Sequence, residues 1–225
     1  MIKIERAVLL AAGRGTRMRE LTAGLPKPMI KVRGKPILLH IVEGLQAAGI
    51  KDFLIIVGYQ GDAVRDYFGD GTCFGLQIKY ATQVVQDGTG RVVDLARDFV
   101  DQSPFVLSYG VILVDPGNYK AINEDVSKGG AVFVNERMEV TDIREKPASG
   151  ELASAWYNAG VYAFRPSIFN WTSKLQPSPR GEYELTDAIR DLAQSGKKVQ
   201  AYELKGAWAD VRDPEVLAEL NRGKL

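Results

Sequence analysis

The sequence predicts an α/β domain of three layers, helices on both sides of a mixed, mostly parallel central sheet. Three observations carry this. Runs rich in β-branched residues alternate with helical periodicities through the first half; the alternation loosens in the second half; and 225 residues are enough to bury a substantial core, with no repeat, low-complexity tract or interdomain linker to divide them. A single domain over 1–225 is expected, its first half running to about 115 and its second from about 116.

Taken in order, Ala7 to Ala12 reads as a buried first strand. It lies between Glu5-Arg6 and Arg14 and is too short for a secretory or membrane-spanning segment. After a Gly- and Pro-containing loop, Ile37, Ile41, Leu45 and Ala48 recur at helical spacing before Gly49, a C-terminal cap. Phe53 to Val57 is a second strand, Ala63 to Phe68 a short helix, Leu76 to Ala81 a strand, Val92 to Val100 a helix and Phe105 to Tyr109 a buried strand. Strands follow at Ala131 to Val134, Val140 to Arg144 and Ala159 to Phe164, a helix at Leu185 to Ala193 and a strand at Val199 to Leu204. Asp213-Pro214 places an N-cap and an N1 proline before a last helix ending near Leu220.

Composition narrows the function. With 29 Lys plus Arg against 28 Asp plus Glu, there is no global field to attract nucleic acid or an anionic membrane, and small-molecule chemistry fits better. The one cysteine, Cys73, excludes an internal disulfide framework and a cysteine zinc cluster, which points to the reducing cytosol.

The chemistry starts at Gly13-Arg14-Gly15-Thr16-Arg17. Two glycines after a strand let backbone amides approach phosphate oxygens, and Arg17 adds a permanently charged fork. The spacing is not that of a Walker A loop, and Met18 stands where a dinucleotide fingerprint needs a small residue. Pro26-Lys27-Pro28 follows, two rigid residues holding a lysine that can reach back to the same phosphates.

Here the chain resembles the nucleoside-diphosphate-sugar pyrophosphorylases, the sugar-1-phosphate nucleotidyltransferases, whose opening signature it matches at Leu10, Ala11, Ala12, Gly13, Gly15, Thr16, Arg17, Met18, Thr22, Pro26, Lys27, Pro28 and Met29. The resemblance implies a Rossmann-like fold and a loop that binds a nucleoside triphosphate. It also implies catalytic roles for Arg17 and Lys27, stabilising charge as a sugar-phosphate oxygen attacks the α-phosphate and pyrophosphate leaves. Tyr80-Ala81-Thr82-Gln83 with Gly88-Thr89 resembles the family's base-recognition strand and glycine turn. Gln83 offers a donor and an acceptor that complement the edge of uracil or thymine, which favours UTP or dTTP over GTP; the alternative is a solvated Gln83. Glu145-Lys146-Pro147 and Asn158-Ala159-Gly160 resemble the sugar pocket, implying substrate-binding roles for Glu145, Lys146, Asn158 and Gly160. The segment Glu182 to Asp187 also matches, where Glu184 and Asp187 are read equally well as residues that start a helix.

Two departures from the family bear on catalysis. The resemblance implies Mg²⁺ held by two aspartates, and only Asp210, in Trp208-Ala209-Asp210-Val211, is present; after Tyr109-Gly110 the family's aspartate is replaced by Val111, which cannot ligate a hard cation. Asp115 lies further along. The expectation is a nucleotide site left intact and turnover depressed. Between Asp115 and Glu145 the chain is also shorter than the family by on the order of 15 to 20 residues, a helix end and a strand at typical element lengths. Either that segment is deleted or the sequence as written skips residues; loss of an interior strand should destabilise the fold, which favours the second.

Other chemistry-bearing residues are read as packing. His40 shares a helix with Ile37 and Ile41. Cys73 has no basic neighbour to activate it and is expected to be small and buried. Trp156, Tyr157, Tyr162 and Phe164 form a core stripe, with Trp156 the candidate for stacking on a ligand. The function expected is an NDP-sugar-forming nucleotidyltransferase using NTP and a hexose 1-phosphate, with no nucleic acid or membrane partner and an open oligomeric state. Its rivals are a catalytically weakened homologue that binds nucleotide or NDP-sugar as a regulatory module, and a cytidylyltransferase for a polyol or choline phosphate. The EKP and NAG segments argue against the last.

Overall fold

Strands that are apolar at every position, rather than at alternate ones, need cover on both faces. The first half meets that condition. The computed structural model, which describes residues 3–15, 18, 22, 24–115, 127–145, 154 and 156–223, begins with β1 (Arg6–Ala11), the short strands β2 (Lys31–Val32) and β3 (Lys35–Pro36), and α1 (Ile37–Ala47). It continues through β4 (Asp52–Val57), α2 (Gly61–Phe68), β5 (Gln77–Thr82), α3 (Thr89–Asp94), α4 (Arg97–Val100), β6 (Phe105–Tyr109) and β7 (Ile112–Val114). The second half contributes β8 (Ser127–Val134), β9 (Val140–Arg144), β10 (Trp156–Phe164), α5 (Phe169–Thr172), α6 (Leu185–Gln194), β11 (Trp208–Asp210) and α7 (Pro214–Asn221).

Seven strands form the main sheet in the order β5-β4-β1-β6-β10-β8-β9. The first four are parallel and the last three antiparallel, so the mixed, mostly parallel, Rossmann-like sheet expected from the sequence is the one observed. Alternate residues feed two cores. Leu9, Ile55 and Val106 pack with Ile41 and Leu45 of α1 and Phe68 of α2, whereas Val8, Ile56 and Leu107 pack with Val93 of α3 and Leu185 and Ile189 of α6. The carboxyl ends of β1, β4 and β6 therefore open side by side where the strand order reverses, the place at which such sheets bind ligands.

Helix ends follow the expected chemistry. Gly49, at φ 97°, follows α1 in the left-handed region, and the Asp213 side chain accepts a hydrogen bond from the Val216 amide at 3.0 Å, capping α7. Three elements differ from the sequence reading. The helix expected over Val92 to Val100 is two short ones, because the Leu95 and Ala96 amides donate to Val92 and Val93, three residues back, at 3.2 and 3.0 Å and tighten the turn between α3 and α4. Val199 to Leu204 is not a strand: Val199 and Ala201 bond the backbone of Val140 and Met138, a single bridge joins Gln200 to Glu139, and the segment then leaves the sheet edge. Finally, no gap opens beside β10. Ser127–Val134 pairs with β10 on one side and β9 on the other, keeping the sheet continuous, and residues 116–126, part of the stretch in which the shortening is expected, lie outside the described residues.

Candidate active site

The loop after β1 is held by its backbone. The Gly110 amide donates to the Leu10 carbonyl at 2.9 Å, Ala11 is buried, and the Ala12 carbonyl accepts from Gln86 Nε2 at 2.9 Å. A Cβ on Gly58 would lie 2.7 Å from the Ala12 oxygen, so that neighbour must be glycine for the strand ends to approach. Among the described residues a Cβ on Gly13 would meet nothing within 4 Å. Gly15 differs. Its φ of 63° favours glycine, and a Cβ there would come 2.9 Å from Lys27 Cβ, so the lysine stem lies directly against the loop. Thr16 and Arg17 lie outside the described residues.

Lys27 sits in a one-turn 3-10 helix, Lys27–Met29, entered through Pro26 at φ −67°. Although charged, it is buried, and its ammonium lies 3.8 Å from a carboxylate oxygen of Asp210. The loop, the lysine and the carboxylate of the C-terminal motif thus converge, although almost 200 residues separate Gly15 from Asp210 in the chain.

Asp210 ends β11, which pairs antiparallel with β7, Asp210 opposite Ile112 and Trp208 opposite Val114. The Val211 amide donates to the Val111 carbonyl at 3.1 Å, which sets Val111 opposite Val211, the residue after Asp210. Asp115 is at the other end of the ribbon: its amide donates to Ala207 at 2.9 Å, three residues from Asp210, or about 10 Å along a strand. Asp115 therefore does not stand beside Asp210. Among the described residues no group of three or more His, Cys, Asp or Glu comes together to hold a metal. Among the described residues the donor set at this place is one carboxylate, Asp210, which fits a Mg²⁺ that arrives on a polyphosphate and keeps its waters, and does not fit a cation held by two aspartates.

On the far side of β1, Gln83 continues β5, its amide bonded to Val57 at 2.8 Å and its side chain partly exposed. Gly88, at φ 118°, is pressed on Tyr183: a Cβ would stand 2.4 Å from the Tyr183 oxygen. The Tyr183 amide donates to Asp87 at 2.7 Å, the Gly90 amide to Tyr183 at 2.7 Å, and the Leu185 amide to the Thr89 hydroxyl at 3.2 Å. The Glu182 to Asp187 segment is thereby an architectural clamp on the glycine turn. Glu184 is buried, bonded by Arg180 and by the Ser178 hydroxyl, and Asp187 pairs with Arg190.

Behind the cleft a buried network links both halves. Asn158 Nδ2 donates to the Tyr162 hydroxyl at 2.7 Å, which lies 3.5 Å from the Tyr109 hydroxyl; Tyr109 also bonds the Thr89 side chain. Burial pushes the Tyr109 phenol up to about 12 and that of Tyr162 well above its ordinary range, so both stay neutral donors. Gly160, at φ 73°, marks a bulge in β10, and a Cβ there would strike the Tyr109 ring at 2.9 Å. Glu145 lies close enough to Tyr109, Tyr162 and Arg180 to act on all three electrostatically, which sets it with Asn158 and Gly160; Lys146 lies outside the described residues.

Several contributors have no sequence signal of their own. Gln86, Tyr109 and Arg91, whose guanidinium lies 3.8 Å from the Tyr183 ring centroid, act through contacts between distant segments. Trp156, the expected stacking residue, packs instead against the core that contains Tyr162, and Tyr157 is the exposed member of the stripe. Cys73 is exposed rather than buried, in a one-turn helix beside α2. His40 is a packing residue as expected, its Nε2 2.8 Å from the Val32 carbonyl.

The family model for nucleotidyl transferases matches residues 6–128 and 119–224, two stretches that overlap at 119–128. The chain is 37% identical over 225 residues to the bifunctional protein GlmU of Methanococcus maripaludis, a match covering 96% of this chain and 53% of the relative. It is 32% identical to the UTP–glucose-1-phosphate uridylyltransferase AglF of Haloferax volcanii, covering 93% of this chain and 92% of that one. The chain thus spans about half the length of the GlmU relatives it matches. A crystal structure of UDP-glucose pyrophosphorylase complexed with UDP-glucose superposes with a TM-score of 0.86 at 23% identity, over 100% of this chain and 98% of the other, a likeness of fold. With the glycine loop, Lys27 and Asp210 gathered at the carboxyl ends of a Rossmann-like sheet and the family model matched over nearly all its length, the chain belongs to the nucleotidyl transferase family, among the sugar-1-phosphate nucleotidyltransferases.

Proposed function

We propose that the chain forms an NDP-sugar and pyrophosphate from a nucleoside triphosphate, UTP or dTTP in preference to GTP, and a hexose 1-phosphate. A non-bridging oxygen of the sugar phosphate attacks the α-phosphorus in line, the bond from that phosphorus to the bridging oxygen breaks, and pyrophosphate leaves with its electrons; no covalent enzyme intermediate forms. The observation that carries this reading is the meeting of Lys27 with the Gly15 loop on one side and Asp210 on the other.

The Gly13 and Gly15 backbone cradles the triphosphate after Leu10, Ala11 and Ala12, with Thr16 and Arg17 completing the loop. Arg17 and Lys27 hold charge that develops on the phosphates. Gln83, Gly88 and Thr89 receive the base. Glu145, Lys146, Asn158 and Gly160 receive the sugar phosphate. Mg²⁺, when bound, would be held by Asp210 with the phosphates and would neutralise part of their charge. The nucleotide side is built by residues to about 115 and the sugar side by those from about 116. No helix among the described residues is long and apolar enough to cross a membrane, and the cytosol is the compartment we assign.

A second reading is favoured by one observation, that Val111, bonded through its carbonyl to the residue after Asp210, brings no carboxylate to that end of the ribbon. A site with one carboxylate can bind nucleotide and turn over slowly or not at all, making the protein a nucleotide or NDP-sugar sensor. A panel of UTP, dTTP, GTP and CTP against hexose 1-phosphates, read by pyrophosphate release and by calorimetric nucleotide binding, separates the two. Release with UTP or dTTP supports the enzyme; binding with no release from any pair supports the sensor; neither binding nor release refutes both.

A further inference from the structure

Large aromatic side chains left facing water beside a cleft are candidates for ligand contact, because their rings offer wide apolar area at low entropic cost. Tyr157 is such a side chain. It is 60% exposed, while its strand neighbours Asn158 and Ala159 are buried. Its ring meets Trp208 edge-on, centroids 5.5 Å apart and planes at 68°. Trp208 is itself held: its indole nitrogen donates to the Ala159 carbonyl at 3.2 Å, and its backbone lies opposite Val114 in the β7–β11 ribbon. The pair is thus anchored from two strands.

Its place relative to the phosphate chemistry follows from strand geometry. Trp208 and Asp210 are two residues apart on β11, so their side chains leave the same side, roughly 7 Å apart along the strand. Ala209, between them, turns into the core. On the nucleotidyltransferase reading the substrate phosphates lie by Lys27 and Asp210, and the Tyr157–Trp208 corner stands on the same side of β11 as Asp210. A pyranose ring matches it: its axial C–H groups form an apolar face for an aromatic ring, while its hydroxyls keep to the rim, where the phenol tip of Tyr157 offers a donor and an acceptor.

We infer that Tyr157, backed by Trp208, is a specificity-determining residue of the sugar subsite, a stacking wall for the hexose ring of the sugar 1-phosphate and of the NDP-sugar. This rests on the nucleotidyltransferase reading above. The wall acts on the sugar and not on the base, which lies by Gln83 and Gly88.

The test needs binding and not turnover, so it is independent of what Val111 does to catalysis. Dissociation constants of UDP and UDP-glucose, and of dTDP and dTDP-glucose, are measured by calorimetry on the full chain, on Tyr157→Ala and on Tyr157→Phe, with thermal unfolding confirming that each is folded. In the parent chain the sugar nucleotide should bind more tightly than the bare diphosphate. Tyr157→Ala should reduce that preference about tenfold with the diphosphate constant unchanged, and Tyr157→Phe should keep it within about threefold. A Tyr157→Ala chain that keeps the preference, or that loses sugar nucleotide and bare diphosphate equally, overturns the inference. A parent that binds the diphosphates but shows no preference for the sugar overturns the inference alone; a parent that binds none of the four overturns the nucleotide site as well. Should Tyr157→Ala fail to fold, Tyr157→Gln gives the same readout.

Discussion

Two edges of the cleft face the same lysine and carry their chemistry differently. At the end of β1 the proposed anion site is built on backbone: Gly13 and Gly15 form the loop, and Gly110 and Gln86 hold the Leu10 and Ala12 carbonyls. At the end of β6, the proposed cation binding would depend on which side chain stands at 111, and the backbone there, bonded to Val211, is in place whether or not that side chain can ligate. A backbone site survives most substitutions. A ligand made of two carboxylates is lost in half by one.

Lys27 belongs to both edges, so its removal has the largest expected effect. Lys27→Ala should weaken nucleoside triphosphate binding about 100-fold, the scale of a lost charge-assisted contact that also leaves Asp210 without the ammonium now 3.8 Å away. Calorimetry with and without Mg²⁺ measures it. A change below about threefold in both conditions would show that the lysine is not a phosphate ligand.

The carboxylate edge also rests on buried phenols, which gives it a pH limit. A tyrosine in the unfolded chain ionises near 10, whereas Tyr109 in the fold stays neutral up to about 12. Its folded value is raised, so the associated stability is fully present below pH 10 and is lost as pH rises through 12, at about 1.4 kcal/mol per pH unit for each such group. Urea unfolding across that window should show the slope, and Tyr109→Phe should lessen it, leaving the share that Tyr162 contributes. An unchanged slope in the variant would place the alkaline sensitivity elsewhere.

The direct test of the contrast is Val111→Asp. Residue 111 faces Val211, the residue after Asp210, so on the proposed reading the new carboxylate should raise Mg²⁺-dependent pyrophosphate release about tenfold or more and leave metal-free nucleotide affinity unchanged. No gain in metal-dependent turnover would mean that Val111 is not what distinguishes the two edges.

The same contrast explains what was legible in the sequence. The parallel strands announce themselves because every residue of Phe53 to Val57 is buried, and the glycine loop because its spacing is local. The convergence of Lys27 with Asp210 was legible through the family motif and not through spacing, since the β7–β11 ribbon that joins them is made of residues about 100 apart. Hidden altogether were contacts set by how segments dock. Tyr157 and Trp156 are adjacent aromatics, and only the placement of β11 decides that Tyr157 faces Trp208 while Trp156 enters the core. The isolated bridge at Gln200 is hidden for the same reason: an apolar run pairs only as far as its partner offers a free edge.

The smallest effect sharpens the contrast from the nucleotide side. Arg91 covers the Tyr183 ring and lies 3.3 Å from Asp87, both contacts bracketing the Gly88 turn, yet its side chain is 54% exposed and its ion pair is correspondingly weak. The turn is held chiefly by the Asp87, Tyr183 and Gly90 backbone bonds and by the absence of a Cβ at Gly88. Arg91→Ala should therefore weaken UTP or dTTP binding by no more than about threefold and leave the preference over GTP intact. A loss of tenfold or more, or a loss of base preference, would show that a surface side chain holds this turn, and the rule that backbone carries the nucleotide edge would fail at the residue where it is easiest to test.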